Sequence, residues 1–179
     1  MKKRLRSVRL PMVLALLLMI GPRTARAEEA GTNTVAVKAV FGKDCEAMVL
    51  QEIGRAEREV RVAIYEITRP AIVAALGQAV SRHVRVQLKY DARAAEYESM
   101  KESLRDLQKL GVRCTGIRMS GDYAKMHHKF LVIDRSEVLT GSFNFTSPAS
   151  EQNYENVVRI DSRPLAAEFI AEFESIRSR

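Results

Sequence analysis

Met126-His127-His128-Lys129-Phe130-Leu131-Val132-Ile133-Asp134 carries the apolar core of a strand, Phe130 to Ile133, preceded by two histidines and a lysine. Successive side chains of a strand point to opposite faces, so His127 and Lys129 share one face at its mouth and His128 takes the other. An imidazole and an ammonium group therefore point the same way. Asp134 ends the strand, Glu137 to Thr140 reads as a second short strand, and Gly141-Ser142-Phe143-Asn144 brings a hydroxyl and an amide onto a neighbouring turn. A fixed positive charge, neutral donors and a histidine able to attack or to move a proton are the groups that hold and process a phosphate.

Outward from this stretch, short β-branched runs alternate with longer amphipathic ones. Thr34 to Phe41 reads as a strand, and Asp44 to Glu59 as a helix with Met48, Ile53 and Ala56 on its apolar stripe and Asp44 as its cap. Val60 to Ile67 is a strand, Pro70 to Arg82 a helix with proline in its first turn, and Val84 to Tyr90 a strand. Ala92 to Leu110 reads as one long charged helix closed by Gly111. Val112 to Ile117 and Asn156 to Ile160 are further strands, and Pro164 to Arg177 is a final helix. The pattern predicts an α/β fold, a mixed β-sheet flanked by helices. No repeat or long linker interrupts it, so one domain is expected.

The chain has 179 residues, 46% apolar and 28% charged, which is a globular composition. Its net charge of +7 is unevenly placed: residues 1–27 hold seven basic side chains and no acidic one, and residues 28–179 are formally neutral. That first stretch reads as a cleaved Sec-type signal peptide. It has a basic start, an apolar run from Leu10 to Ile20, a Gly21-Pro22 break and an Ala25-Arg26-Ala27 cleavage site. The run is shorter than the ~20 residues a spanning helix needs, so a periplasmic or secreted protein without stable membrane insertion is expected. Between Lys109 and Arg135 six basic residues face two acidic ones, an excess that suits an anionic polymer. Cys45 and Cys114 could pair in an oxidising compartment or remain two buried thiols, and neither has metal-ligand spacing to a histidine.

His127, Lys129, Asp134, Gly141, Ser142 and Asn144 fit H-x-K-x4-D followed after six residues by G-S/G-x-N, and through them the chain resembles the phospholipase D superfamily. The likeness continues through Phe41, the strand ending at Tyr65, Ala74-Ala75-Leu76, Asn144-Phe145-Thr146 and Asn153-Tyr154-Glu155-Asn156, in the manner of small single-motif secreted bacterial endonucleases. Two positions depart from that pattern: His83 stands where the family has glycine, and Phe41-Gly42 where it has Phe-Ser-Pro.

The resemblance implies a phospholipase D-like fold and a metal-independent phosphodiesterase that needs no cofactor. His127 would be the nucleophile of a phosphohistidine intermediate, with Lys129, Ser142 and Asn144 on the phosphate. Glu155 or Asp134 would orient the imidazole, and Asp134 is expected to act mainly as a partner for basic groups at the motif. A second histidine must protonate the leaving oxygen. Only one motif occurs here, so a homodimer with the active site on its two-fold axis is expected. DNA or RNA is the expected substrate. A phosphatidyl lipid is the alternative, and a non-catalytic phosphate-binding module the second. His128 is expected on the opposite face of the strand, and His83 in a surface turn.

Overall fold

A computed structural model describes Val35–Arg179, so the expected signal segment 1–27 and Thr34 lie outside the described residues. In chain order the elements are β1 (Ala36–Phe41), α1 (Asp44–Arg55), β2 (Glu59–Ile64), α2 (Pro70–Ser81), β3 (Arg85–Asp91), α3 (Glu98–Lys109) and β4 (Arg113–Ile117). They continue with β5 (Lys129–Ile133), β6 (Glu137–Gly141), α4 (Ser147–Glu151), β7 (Asn156–Asp161) and α5 (Arg163–Ser175). The seven strands form one sheet in the order β1-β7-β6-β5-β2-β3-β4, so the strand beginning at Lys129 lies at its centre.

The sheet is mixed, as the sequence implies. β2, β3 and β4 pair in parallel because helices α2 and α3 connect them, whereas β5, β6 and β7 follow one another in antiparallel order. Leu131, Ile133, Leu139, Val62 and Leu88 face α1, α2 and α3 and pack with Ile53, Leu76 and Leu107. On the other face, Phe130, Val132, Val138 and Ala63 pack against Ala166 and Phe173 of α5. Burial on both faces explains why β5 reads as a continuous apolar run, and in β2 the buried charges of Glu59 and Arg61 pair with each other.

Several features differ from the sequence reading: α1 ends at Arg55 instead of Glu59, and β2 runs from Glu59 to Ile64 instead of Val60 to Ile67. Lys43 takes the N-cap position of α1 and Asp44 lies in its first turn, where a carboxylate favours the helix dipole without capping it. The run from Ala92 to Leu110 is broken: Asp91 Oδ1 accepts the N–H groups of Arg93 and Ala94, which close a 3₁₀ turn at Ala94–Glu96, and Tyr97 is extended before α3 begins. α5 stops at Ser175 instead of Arg177, because Ile176 is extended and Lys89 Nζ takes the carbonyls of Phe173 and Ile176 at 2.6 and 2.9 Å. The short α4 was not anticipated, although Thr146 as its cap and Pro148 in its first turn are ordinary start signals. Cys45 lies on α1, which packs beside β1, and Cys114 on β4 at the opposite sheet edge; both thiols are free.

α2 and α3 end in the same way. Gly111 (φ 88°) donates to Gln108 O while Val112 donates to Leu107 O, and His83 (φ 67°) donates to Val80 O while Val84 donates to Ala79 O. This closing residue must be left-handed, which glycine adopts freely and a residue with a Cβ does not. His83 is exposed, as expected of a surface turn. His83→Gly should therefore stabilise the fold by about 0.5–1 kcal/mol, net of the extra freedom of the unfolded chain. Thermal unfolding should show a rise of about 2 °C; a fall would mean the imidazole makes a contact that outweighs the backbone strain.

Candidate active site

The carboxyl ends of β2 and β3 and the amino end of β5 meet at one edge of the sheet, the place where open α/β sheets bind ligands. The β2–β5 register sets Ile64 opposite Lys129, which brings the next residue, Tyr65, beside the two residues before β5. His127 is solvent-exposed, with its ring 5.0 Å from that of Tyr65. Its Nε2 lies 3.3 Å from Lys129 Nζ, which also donates to His127 O at 3.1 Å. Lys125 and Lys129 sit over the Tyr65 ring at 5.2 and 5.5 Å, attracted by the negative face of the aromatic system. Just before His127, Met126 is buried and donates its N–H to Asp91 Oδ2 at 2.8 Å, so a buried carboxylate fixes where the chain enters the site. Partial burial, then Lys129 and Lys125, push the His127 pKa below its ordinary value, which leaves the imidazole neutral at neutral pH.

The second half of the site is built by β6, β7 and the loops that follow or precede them. Gly141 allows β7 to approach: a Cβ there would lie 2.1 Å from Asn156 O. Ser142 Oγ donates to Glu155 in a short bond and accepts the N–H of Asn156 at 3.1 Å, while Asn153 Nδ2 donates to the other oxygen of Glu155 at 3.2 Å. Asn144 carries a buried Oδ1 that has no hydrogen-bond partner among the described residues. Buried polar groups are rarely left so, and those that are cluster at functional sites. Phe145 O ties this half to the first by accepting the N–H groups of Thr68 and Arg69 beyond β2. Burial, then the charge of Lys125, lowers the Lys129 pKa, and the carboxylates of Glu155 and Glu66 oppose this.

Residues 49–177 match the family described as cardiolipin synthase, PLD-like domain. The chain belongs to the phospholipase D superfamily. It is 34% identical over 126 residues to a phospholipase D of Rickettsia felis and 33% identical over 123 residues to a mitochondrial cardiolipin hydrolase of Xenopus tropicalis. The matched stretches cover 70% and 68% of this chain but 60% and 56% of those proteins, so it spans less than two thirds of their length. Among solved structures it superposes on the phospholipase D family member Nuc of Salmonella typhimurium with a TM-score of 0.75 and 27% identity, covering 80% of this chain and 94% of that one. NucT of Helicobacter pylori gives a TM-score of 0.73 at 22% identity and shares the fold, with 80% and 96% covered.

Not every residue of the phospholipase D signature lies at the site. His127 and Lys129 stand together on one face. His128 stands on the other, edge-on to Phe130 and 3.0 Å from Glu172 Oε1. Asp134, grouped with the catalytic residues in the sequence reading, lies at the far end of β5, roughly 15 Å of strand from Lys129. Its carboxylate accepts the N–H groups of Glu57, Arg58 and Glu59 at 2.8–2.9 Å, so its main partners are backbone donors and not the basic groups of the motif. Glu155 is bonded to Ser142 and Asn153 and makes no bond to His127 within the chain. Asp91 is the carboxylate whose charge acts on His127. Sequence reasoning missed Asp91 and Tyr65, which differ from ordinary strand-end residues only in what the sheet sets beside them.

The basic excess between Lys109 and Arg135 disperses. Lys109 pairs with Asp106, Arg118 with Glu96 and Arg135 with Glu59, Arg113 begins the edge strand β4, and Lys125 and Lys129 stand at the site. Beside them a cleft of about 410 Å³ is lined by Lys125, His127, His128, Glu172, Arg177 and Arg179, with Met119, Met126 and Ile176 as apolar wall.

Two predictions separate scaffold from chemistry. Burial opposes ionisation of Asp134, but the donors from Glu59, Glu57 and Arg58 outweigh it and hold its carboxyl below the usual range. This contribution to stability is present above the unfolded carboxyl value and is lost as pH falls through the folded one. Asp134→Asn should cost about 2 kcal/mol and flatten that acid limb, while the folded protein keeps its turnover. A large loss of turnover at unchanged stability would return Asp134 to the chemistry. Lys125→Ala removes a charge that lowers the His127 pKa, so the acid limb of kcat/KM should move to higher pH. An unmoved limb would mean that the titrating group is not His127.

Proposed function

We propose that this protein is a metal-independent phosphodiester hydrolase that acts through a phosphohistidine on His127 and cleaves nucleic acid with little sequence preference. The observation that carries this reading is the Nε2 atom of an exposed, neutral imidazole 3.3 Å from the ammonium of Lys129. Nε2 attacks phosphorus, the bond to the leaving oxygen breaks, and that oxygen takes a proton from a second imidazole. Water, deprotonated by the same second imidazole, then attacks the phosphohistidine and releases His127. Lys129, with the Asn144 amide and with the Ser142 hydroxyl once it turns from Glu155 to substrate, offsets the charge that builds on the phosphoryl oxygens. Among the described residues no group of three His, Cys, Asp or Glu side chains could hold a metal ion, so the charge stabilisation is assigned to these side chains.

The second imidazole is the partner's His127 in a two-fold dimer. One side of the sheet supports such a partner. Val37 and Phe41 of β1 are 62% and 69% exposed on the α5 side of the sheet, beyond the strands α5 packs against, and Phe41 pairs with Asn156 next to Ser142. An apolar strip running to the rim of the site suits a self-complementary contact that brings two sites together. Residues 1–27 support an exported enzyme. Phospholipid cleavage is the second reading, favoured by the names of the Rickettsia and Xenopus relatives and by the methionines of the cleft wall.

The test uses residues 28–179 with plasmid DNA, RNA, phosphatidylcholine and cardiolipin vesicles in excess EDTA. Nucleic acid should be cleaved, and His127→Asn should lose more than about a hundredfold of that activity. His128→Ala should lose little. Light scattering should give twice the chain mass, and mixed dimers with a His127→Asn chain should lose most of their turnover. Cleavage of lipid alone would select the second reading, and no turnover on any phosphodiester would select a phosphate-binding module. A fully active monomer would remove the two-histidine mechanism.

A further inference from the structure

The segment after α5 is held in place and not left trailing. Lys89 Nζ takes the carbonyls of Phe173 and Ile176, Arg118 donates its N–H to Ser178 Oγ at 3.0 Å, and Arg179 donates its N–H to Arg118 O at 3.0 Å. These bonds use the backbone and a serine hydroxyl. The guanidinium groups of Arg177 and Arg179 are left facing the cleft that begins at His127, and among the described residues neither has an ion-pair or hydrogen-bond partner. Two features that would repel an anion there are engaged by partners, although Glu172 itself remains in the cleft lining. The helix-end carbonyls are taken by Lys89, and the two oxygens of Glu172 are turned to His128 Nε2 at 3.0 Å and Ser175 Oγ at 3.2 Å.

We infer that Arg177 and Arg179 form a second phosphate site, which holds a phosphate next to the scissile one in a polynucleotide chain. This rests on the proposed nucleic-acid reading and adds to it. A substrate with a single phosphodiester has nothing to offer this end of the cleft. A chain with a phosphate at every nucleotide fills both ends at once, and guanidinium forks suit phosphate oxygens. The site gives a chain whose residues 28–179 are formally neutral a local grip on a polyanion: Lys125, Arg177 and Arg179 line one cleft and Lys129 stands beside it, next to His127.

Binding is measured in a His127→Asn background by fluorescence anisotropy with a short single-stranded oligodeoxynucleotide across a salt series. Arg177→Ala with Arg179→Ala should weaken binding about tenfold at low salt and reduce the slope of log K against log salt by about 0.7, the value for one phosphate on a single strand. Arg177→Lys with Arg179→Lys should restore the slope, which a merely structural role for the arginines would not require. In the active protein, the alanine pair should raise KM for the oligonucleotide, with turnover of bis-p-nitrophenyl phosphate as the reference for an intact centre. Equal affinity and slope for the alanine pair would overturn the inference, as would loss of cardiolipin-vesicle binding with oligonucleotide binding intact. Failure of the unsubstituted protein to turn over any phosphodiester would overturn the proposed function instead, and the binding series would still decide the second phosphate site.

Discussion

The antiparallel pairing of β5 with β2 is the joint on which the molecule depends. One half of the sheet, β2-β3-β4, is parallel and helix-connected; the other, β5-β6-β7-β1, is antiparallel; and this ladder joins them, with the Ile67–Phe145 bridge beside it. Its register runs from Val60 opposite Ile133 to Ile64 opposite Lys129. A slip of one residue would turn Phe130 and Val132 toward the three-helix face and carry Lys129 away from Tyr65. The buried pairs Val62–Leu131 and Ala63–Phe130 oppose such a slip from within the ladder, and Asp134 opposes it from the end by taking three successive N–H groups just before and at the start of β2. The aspartate of the motif thus acts on the chemistry at a distance, by fixing the register that delivers His127 and Lys129.

Charge in this protein is spent largely on structure. Arg61 pairs with Glu59 and reaches Glu174, Arg159 bridges Glu137 and Glu52, and Arg69 joins Glu46 of α1 to Glu151 of α4. The first two sets lie among buried residues where an unpaired charge would be costly, so their members are not free to meet a ligand. Other cations such as Lys38, Lys43, Arg113 and Arg163 make no ion pair among the described residues either, so lack of a partner does not by itself mark the site. What marks it is proximity: Lys125, Arg177 and Arg179 line one cleft, and Lys129 stands beside it next to His127.

The fold was legible wherever burial leaves a periodic trace. The four apolar residues of β5, the proline-started α2 and the glycine-closed α3 follow from spacing and from glycine's access to positive φ, and the mixed sheet follows from their order. Two kinds of feature escaped. Asp91 breaks the helix expected from Ala92 through a local turn to the N–H groups of Arg93 and Ala94, which the apolar spacing overrode, and Lys89 ends α5 early by reaching a backbone 84 residues away, which no local pattern announces. The site divides in the same way. His127 and Lys129 were readable because strand alternation alone puts them together, and Ser142 and Asn144 because the second turn follows at fixed spacing. Tyr65 and Arg177 come from β2 and the segment after α5, which only the folded sheet sets beside the motif. Asp134 was expected mainly to partner basic groups at the motif; its partners are instead backbone N–H groups at the far end of β5, because residues adjacent in a motif need not share an end of a strand.

The cationic surroundings of His127 impose a condition on the proposed dimer. Burial, Lys129 and Lys125 all favour the neutral imidazole, which is the form a nucleophile needs. The same surroundings act on the partner's His127, yet that residue must carry a proton when the first bond breaks. Two identical imidazoles facing one phosphate therefore titrate as a coupled pair, and the productive form is the one that holds a single proton between them. A bound phosphodiester favours this form, because its negative charge offsets the lysines and restores affinity for one proton without requiring two. Which histidine attacks is then decided when substrate breaks the two-fold symmetry, and one motif per chain is enough to supply both a nucleophile and an acid.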